Sequence, residues 1–196
     1  RIFESQLEAA RSAGSLGVVP FLAACLSELD YRVGNWGAAN ADAVESVRLA
    51  EATNQLNLLS FSLVTLARLQ AARGVEAACR TNVERALELA SRLGVGSITV
   101  YGASALGLLE LGVGHIDDAI DRLSRLSALV RELGLQEPGV VQWRPDLIEA
   151  YVLAGRDAEA RAELQTLEAE AASTGRVWAV AAAARCRGML AADVAV

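Results

Sequence analysis

The stretch Leu26-Ser27-Glu28-Leu29-Asp30-Tyr31-Arg32-Val33-Gly34-Asn35-Trp36-Gly37-Ala38-Ala39 is answered forty residues later by Leu66-Ala67-Arg68-Leu69-Gln70-Ala71-Ala72-Arg73-Gly74-Val75-Glu76-Ala77-Ala78-Cys79. Its glycine belongs to a series: Gly34, Gly74, Gly114 and Gly155 stand 40, 40 and 41 residues apart, and Gly14, Asn54, Gly94, Gly134 and Gly175 run half a period out of phase. Glycine, and less often asparagine, takes the left-handed conformation that closes a helix. Each period therefore reads as helix A, a tight turn, helix B and a second tight turn. A helix pair that cannot bury its apolar face alone must stack on its neighbours. The spacing predicts one array: an orphan helix B over 1–14, repeats over 15–54, 55–94, 95–134 and 135–175, and an orphan helix A over 176–196.

The packing columns come from counting back from each first-set glycine. Eight residues before it stand Leu26, Leu66, Leu106 and Leu147, and five before it Leu29, Leu69, Leu109 and Ala150. Seven before it the side chain is small in three of four cases, Ser27, Ala67 and Gly107. Spacings of three and four place these on one helical stripe. Five residues after the glycine the side chain is small again, Ala39, Cys79, Ala119 and Ala160, so the two helices of a pair can approach closely. Acids gather in the first turns of the B helices (Glu76; Asp117 and Asp118; Asp157 and Glu159), where the helix dipole favours them.

Composition excludes several functions. With 53% hydrophobic residues the chain has ample material for a continuous core. A net charge of -6 lacks the basic footprint of a surface that grips phosphate backbones, so no direct nucleic-acid contact is expected of this segment. Mean hydropathy is +0.30, yet no run approaches the roughly 20 apolar residues that a bilayer needs. The chain opens on Arg1 with no initiator Met and no leader pattern, from which we expect a segment of a longer cytoplasmic protein. The three cysteines, Cys25, Cys79 and Cys186, have no metal-like spacing and read as reduced core thiols.

One interval breaks the ruler. From Gly134 to Gly155 there are 21 residues where the others have 20, and the interval holds Glu137, Pro138, Gly139, Trp143 and Pro145. Pro145 suits the first turn of a helix and Pro138-Gly139 a loop, so helix A of this repeat should start late with Trp143 just ahead of it.

The run Gly34-Asn35-Trp36-Gly37-Ala38-Ala39 resembles the A–B turn of tetratricopeptide repeats, and Gly114-His115-Ile116-Asp117-Asp118-Ala119 and Gly155-Arg156-Asp157-Ala158-Glu159-Ala160 are weaker copies. The period of 40 rather than 34 departs from that family, as does the missing proline at the end of helix B. The resemblance implies an all-α fold, a right-handed superhelix of antiparallel helix pairs. The region Glu137 to Ala192, with Ala103 to Leu123 upstream, is similar to the helical-repeat region of the large ATP-binding LuxR-type (MalT-like) transcriptional regulators. That similarity implies a non-catalytic module for effector sensing, protein interaction and oligomerisation. ATP would then belong to an upstream domain of the parent, and no cofactor to this segment. The alternative is a free-standing tetratricopeptide-like adaptor for a peptide or protein.

Chemical motifs are few. Asp117-Asp118-Ala119-Ile120-Asp121 spells the DDxxD that holds magnesium in helical terpene synthases, but it sits in a helix first turn where acids belong and no second metal-binding helix accompanies it. His115, the only histidine, follows a turn glycine and has no paired nucleophile. We therefore expect no enzyme and no metal ligands. In tetratricopeptide arrays the A helices line a concave groove. The matching columns here are Phe21, Phe61, Tyr101 and Gln142, and Glu28, Arg68, Leu108 and Glu149. Combined with the irregular fourth repeat, they give Arg68, Tyr101, Trp143, Arg144 and Glu149 as candidate residues for a small effector, peptide or protein. Phe21, Phe61 and Tyr101 also fit a purely structural role between repeats.

Overall fold

A computed structural model describes residues 2–134, 137 and 139–192. Pro138, read above as part of a loop, and positions 193–196 of the expected last helix lie outside the described residues. These form ten helices and no strand: α1 (Ile2–Ser12), α2 (Val19–Arg32), α3 (Trp36–Ala52), α4 (Leu56–Ala72), α5 (Glu76–Leu93), α6 (Ser97–Gly112), α7 (Ile116–Glu132), α8 (Arg144–Leu153), α9 (Asp157–Thr174) and α10 (Val177–Ala192). Among them no helix is long and apolar enough to cross a membrane.

The turns explain the helix boundaries. All nine residues of the two glycine and asparagine series have positive φ, from 54° at Asn54 to 85° at Gly114. The amide following Gly34 donates to the carbonyl four residues before it, Asn35 to Asp30 at 2.8 Å, and Gly34 donates to Tyr31 at 3.1 Å. This is the Schellman closure, which satisfies carbonyls that the helix end would leave bare. The same longer bond recurs at Val75 to Gln70, His115 to Glu110 and Arg156 to Tyr151, and in the alternate turns at Ser15 to Ala10, Gln55 to Ala50 and Val95 to Ala90.

The chain divides into two compact units, Arg1–Ala105 and Leu106–Val196. In the first, α2 packs on α3, α3 on α4 and α4 on α5, while α2 also touches α4 and α1 covers α2. Its main core joins Ala50, Leu59, Leu63, Val64, Ala86, Leu89 and Ile98, and a smaller cluster gathers Leu7, Val19, Leu22 and Ala23. Buried Ser27 on α2 donates to the Ala39 carbonyl of α3 at 2.8 Å, pinning the pair where both side chains are small. In the second unit α7 packs on α8, α8 on α9 and α9 on α10, with α10 also touching α8. Leu123, Leu126, Leu147, Ile148 and Leu167 are all but fully buried there.

The small column is legible in both units. Ala39, Cys79, Ala119 and Ala160 each have no exposed surface. Gly107 lies so close to Leu123 of α7 that a β-carbon would overlap that side chain. The apolar columns fare less evenly: Leu66, Leu69, Leu109 and Leu147 are buried, but Leu106 is only half-buried and Leu29 is 44% exposed. Leu29 lies on α2, in the first helix pair.

Candidate functional site

Two surfaces carry the candidate residues, one in each unit. In the first, α2, α4 and the start of α6 bring Phe21, Phe61 and Tyr101 into a continuous ladder. The Phe21 and Phe61 ring centroids are 6.4 Å apart, and Phe61 meets Tyr101 edge-on at 5.7 Å. Those distances match the favourable geometry of aromatic pairs, in which the positive ring edge approaches the negative face. Phe61 and Tyr101 lean on the core of their unit, while Phe21 keeps 45% of its surface in solvent.

Charge is distributed along the same helices. Arg68 is half-buried and its Nη1 donates to Ser104 of α6, to the hydroxyl at 2.8 Å and the carbonyl at 3.1 Å. Ser104 stands one turn beyond Tyr101, so the structure brings Arg68 and Tyr101 to one neighbourhood. Burial pushes the Tyr101 phenol above its ordinary range, and the Glu28 carboxylate adds to the effect. Cys25, between Phe21 and Glu28 on α2, is pushed up to about 11 by burial and by Glu28. A thiol so placed stays protonated near neutrality and is a poor nucleophile.

In the second unit α8 begins at Arg144, with Trp143 at its cap position and Pro145 in its first turn, the late start read from the sequence. The burial of Trp143 was not foreseen. Its side chain is only 4% exposed, so the indole is a packing group and offers no open face to a ligand. Part of that cover is local, for the Arg144 guanidinium, at the start of α8, lies 4.6 Å from the ring centroid.

Arg144 joins two acids of α9. Its Nη1 donates to Glu163, while Nη2 and Nε donate to the Glu170 carboxylate at 2.8 and 3.3 Å, a forked charge-assisted pair. Beside it opens a cleft of about 330 Å³ lined by Ser127, Val130, Arg131, Thr166, Glu170, Ser173 and Thr174. Glu149 is turned to α10, where it accepts from Arg185 at 2.7 Å. The unit thus separates Arg144, at the cleft, from Glu149, in an ion pair. Next to Arg185, Cys186 is likewise pushed up to about 11 by burial.

The residues that the columns missed are the partners: Ser104, Glu163 and Glu170. Glu163 and Glu170 are seven apart, two turns of one helix face, and that was the available signal. At the A–B turns a further pattern appears. The residue four before the glycine meets the residue just after it: Asn35 donates to Asp30 at 3.2 Å, His115 Nδ1 lies 3.1 Å from Glu110, and Arg156 sits 4.9 Å from the Tyr151 ring centroid.

Compared with models of protein families and with curated proteins, the chain matches none.

Proposed function

We propose that this chain is a non-catalytic recognition module, a TPR-like α-solenoid of about 40-residue repeats whose A helices present a binding face. The observation that carries the reading is the Phe21, Phe61 and Tyr101 ladder, three aromatic rings at 40-residue intervals with one edge in solvent. Partly exposed aromatics beside Glu28 and Arg68 supply apolar contact with polar selection, the chemistry of peptide, protein or amphiphilic ligand recognition. Burial pushes the Cys25 thiol on this face above its ordinary range, which disfavours nucleophilic chemistry there.

More particularly, the resemblance in the second half of the chain supports a place in a LuxR-type transcriptional regulator, as the cytoplasmic module that senses an effector and contributes to self-association. Exposed Val177 and Val180 on α10 supply apolar surface for a second copy. The parent reading frame tests this assignment. A phosphate-binding loop G-x-x-x-x-G-K-[ST] encoded upstream and a helix-turn-helix downstream are expected; a frame with neither leaves the recognition face intact but makes the protein a free-standing adaptor.

A further inference from the structure

We infer that the aromatic face of the first unit takes a small, flat, uncharged molecule bearing one hydrogen-bonding oxygen, and that the hydroxyl of Thr65 receives that oxygen. The inference rests on the recognition reading above and names the ligand class for the same face. What carries it is a hydroxyl left over. Among the described residues of this unit, the buried hydroxyls of Ser27, Ser46, Ser60, Ser62 and Ser104 all have hydrogen-bond partners at 2.6–2.8 Å. Thr65, 3% exposed, has none. Elsewhere in the chain Thr53, Thr166 and Thr174 bond back to the carbonyl four residues before them, at 2.7–3.1 Å, as hydroxyls on helices commonly do. Thr65 makes no such bond to Phe61, and a buried polar group without a partner calls for an explanation.

The place of this hydroxyl ties it to the ladder. Thr65 stands one turn after Phe61 and one turn before Arg68, on the stripe of α4 that carries the central ring. The residue of the same column on α2 is Cys25, partly exposed and one turn from Phe21, which itself keeps 45% of its surface in solvent. On α6 the column holds Ala105, with no exposed surface. The column is therefore least covered at α2, and α2 packs directly on α4. A flat molecule entering there can stack on the Phe21 and Phe61 rings, whose centroids are 6.4 Å apart, and reach Thr65 with its oxygen.

The charges of the face select an uncharged ligand. Glu28 and Arg32 neutralise each other across one turn of α2 at 3.5 Å, and Arg68 is held by Ser104. Burial raises the Tyr101 phenol and pushes the Cys25 thiol up to about 11, so both stay protonated near neutrality. A charged molecule would shed its hydration here and find each opposite charge already engaged. A wholly apolar one would leave the Thr65 hydroxyl without a partner. A ring system with a single ketone, ether or hydroxyl oxygen meets both conditions.

Fluorescence titration with prodan, an uncharged naphthalene that carries one ketone, tests it. Saturable binding of one dye per chain is expected, weakened about fivefold in Thr65→Val, which keeps the shape and removes the hydroxyl, and about tenfold in Phe21→Ala. Thr65→Ser should bind as the parent does. The melting midpoint of Thr65→Val without dye should equal or exceed the parent's, because an unpartnered hydroxyl is being removed. A lowered midpoint would mean that an ordered water already satisfies the hydroxyl, and would overturn the inference, as would absence of saturable dye binding. Binding lost in Phe21→Ala but undiminished in Thr65→Val would also overturn it while leaving the recognition face standing.

Discussion

Gly107 stands seven residues before Gly114, and Gly188, 40 residues after Ile148 of the same column, falls in register with it, yet the two meet different surroundings. A β-carbon at Gly107 would overlap Leu123, which has no exposed surface and nowhere to retreat; at Gly188 nothing lies within 4 Å. Replacing a mid-helix glycine by alanine gains about 0.5–1 kcal/mol when the space is free. Overpacking costs about 1–3 kcal/mol. Gly188→Ala should therefore stabilise the protein by about 0.5–1 kcal/mol and Gly107→Ala should destabilise it by about 1 kcal/mol, as read from urea denaturation. Equal effects of the two changes would mean that the column has no bearing on packing. Glycine spacing announced the nine left-handed residues because φ is a local property, fixed by the residue itself. Asn54, with φ of 54°, is the one position where the series required a second residue type, and its small polar side chain tolerates that conformation.

At the scale of the element, the sequence foretold the late start of α8 but not what the start does to Trp143. Proline chemistry places a helix beginning without stating on which side the preceding ring lies. Once α8 forms, the indole is buried and Arg144 stacks against it while binding Glu163 and Glu170. Trp143→Ala should consequently cost about 3–5 kcal/mol, the range for emptying a buried aromatic site, measurable by chemical denaturation. A variant that keeps parental stability would put the ring back at an open surface and restore it as a ligand contact. The half-buried Leu106 beside the fully buried Leu109 teaches the same lesson, since a column identifies a helix face but not how deeply each turn of that face is covered. Partners from other helices, such as Ser104 to Arg68 or Arg185 to Glu149, depend on which helices lie side by side. A single helix's periodicity carries no such information.

For the molecule as a whole, the all-helical class and the order of helix and turn were legible because they repeat, so that each turn confirms the next. The face proposed for recognition was legible only in part. Tyr101 and Arg68 do lie together, through Ser104, on the side of their unit that bears Phe21 and Phe61, whereas Arg144 and Glu149 of the other unit are engaged by acids of α9 and by Arg185. The claim that matters most is that the aromatic ladder recognises something, beyond holding α2, α4 and α6 together. Its most direct test is the effector or partner response of the parent protein carrying the paired substitution Phe21→Ala and Tyr101→Ala, with circular dichroism and thermal midpoint measured on the same preparation. A folded variant whose response falls at least about tenfold, equivalent to roughly 1.4 kcal/mol of lost binding, is the predicted result. A folded variant with an undiminished response would contradict the account, and the ladder would then be packing alone.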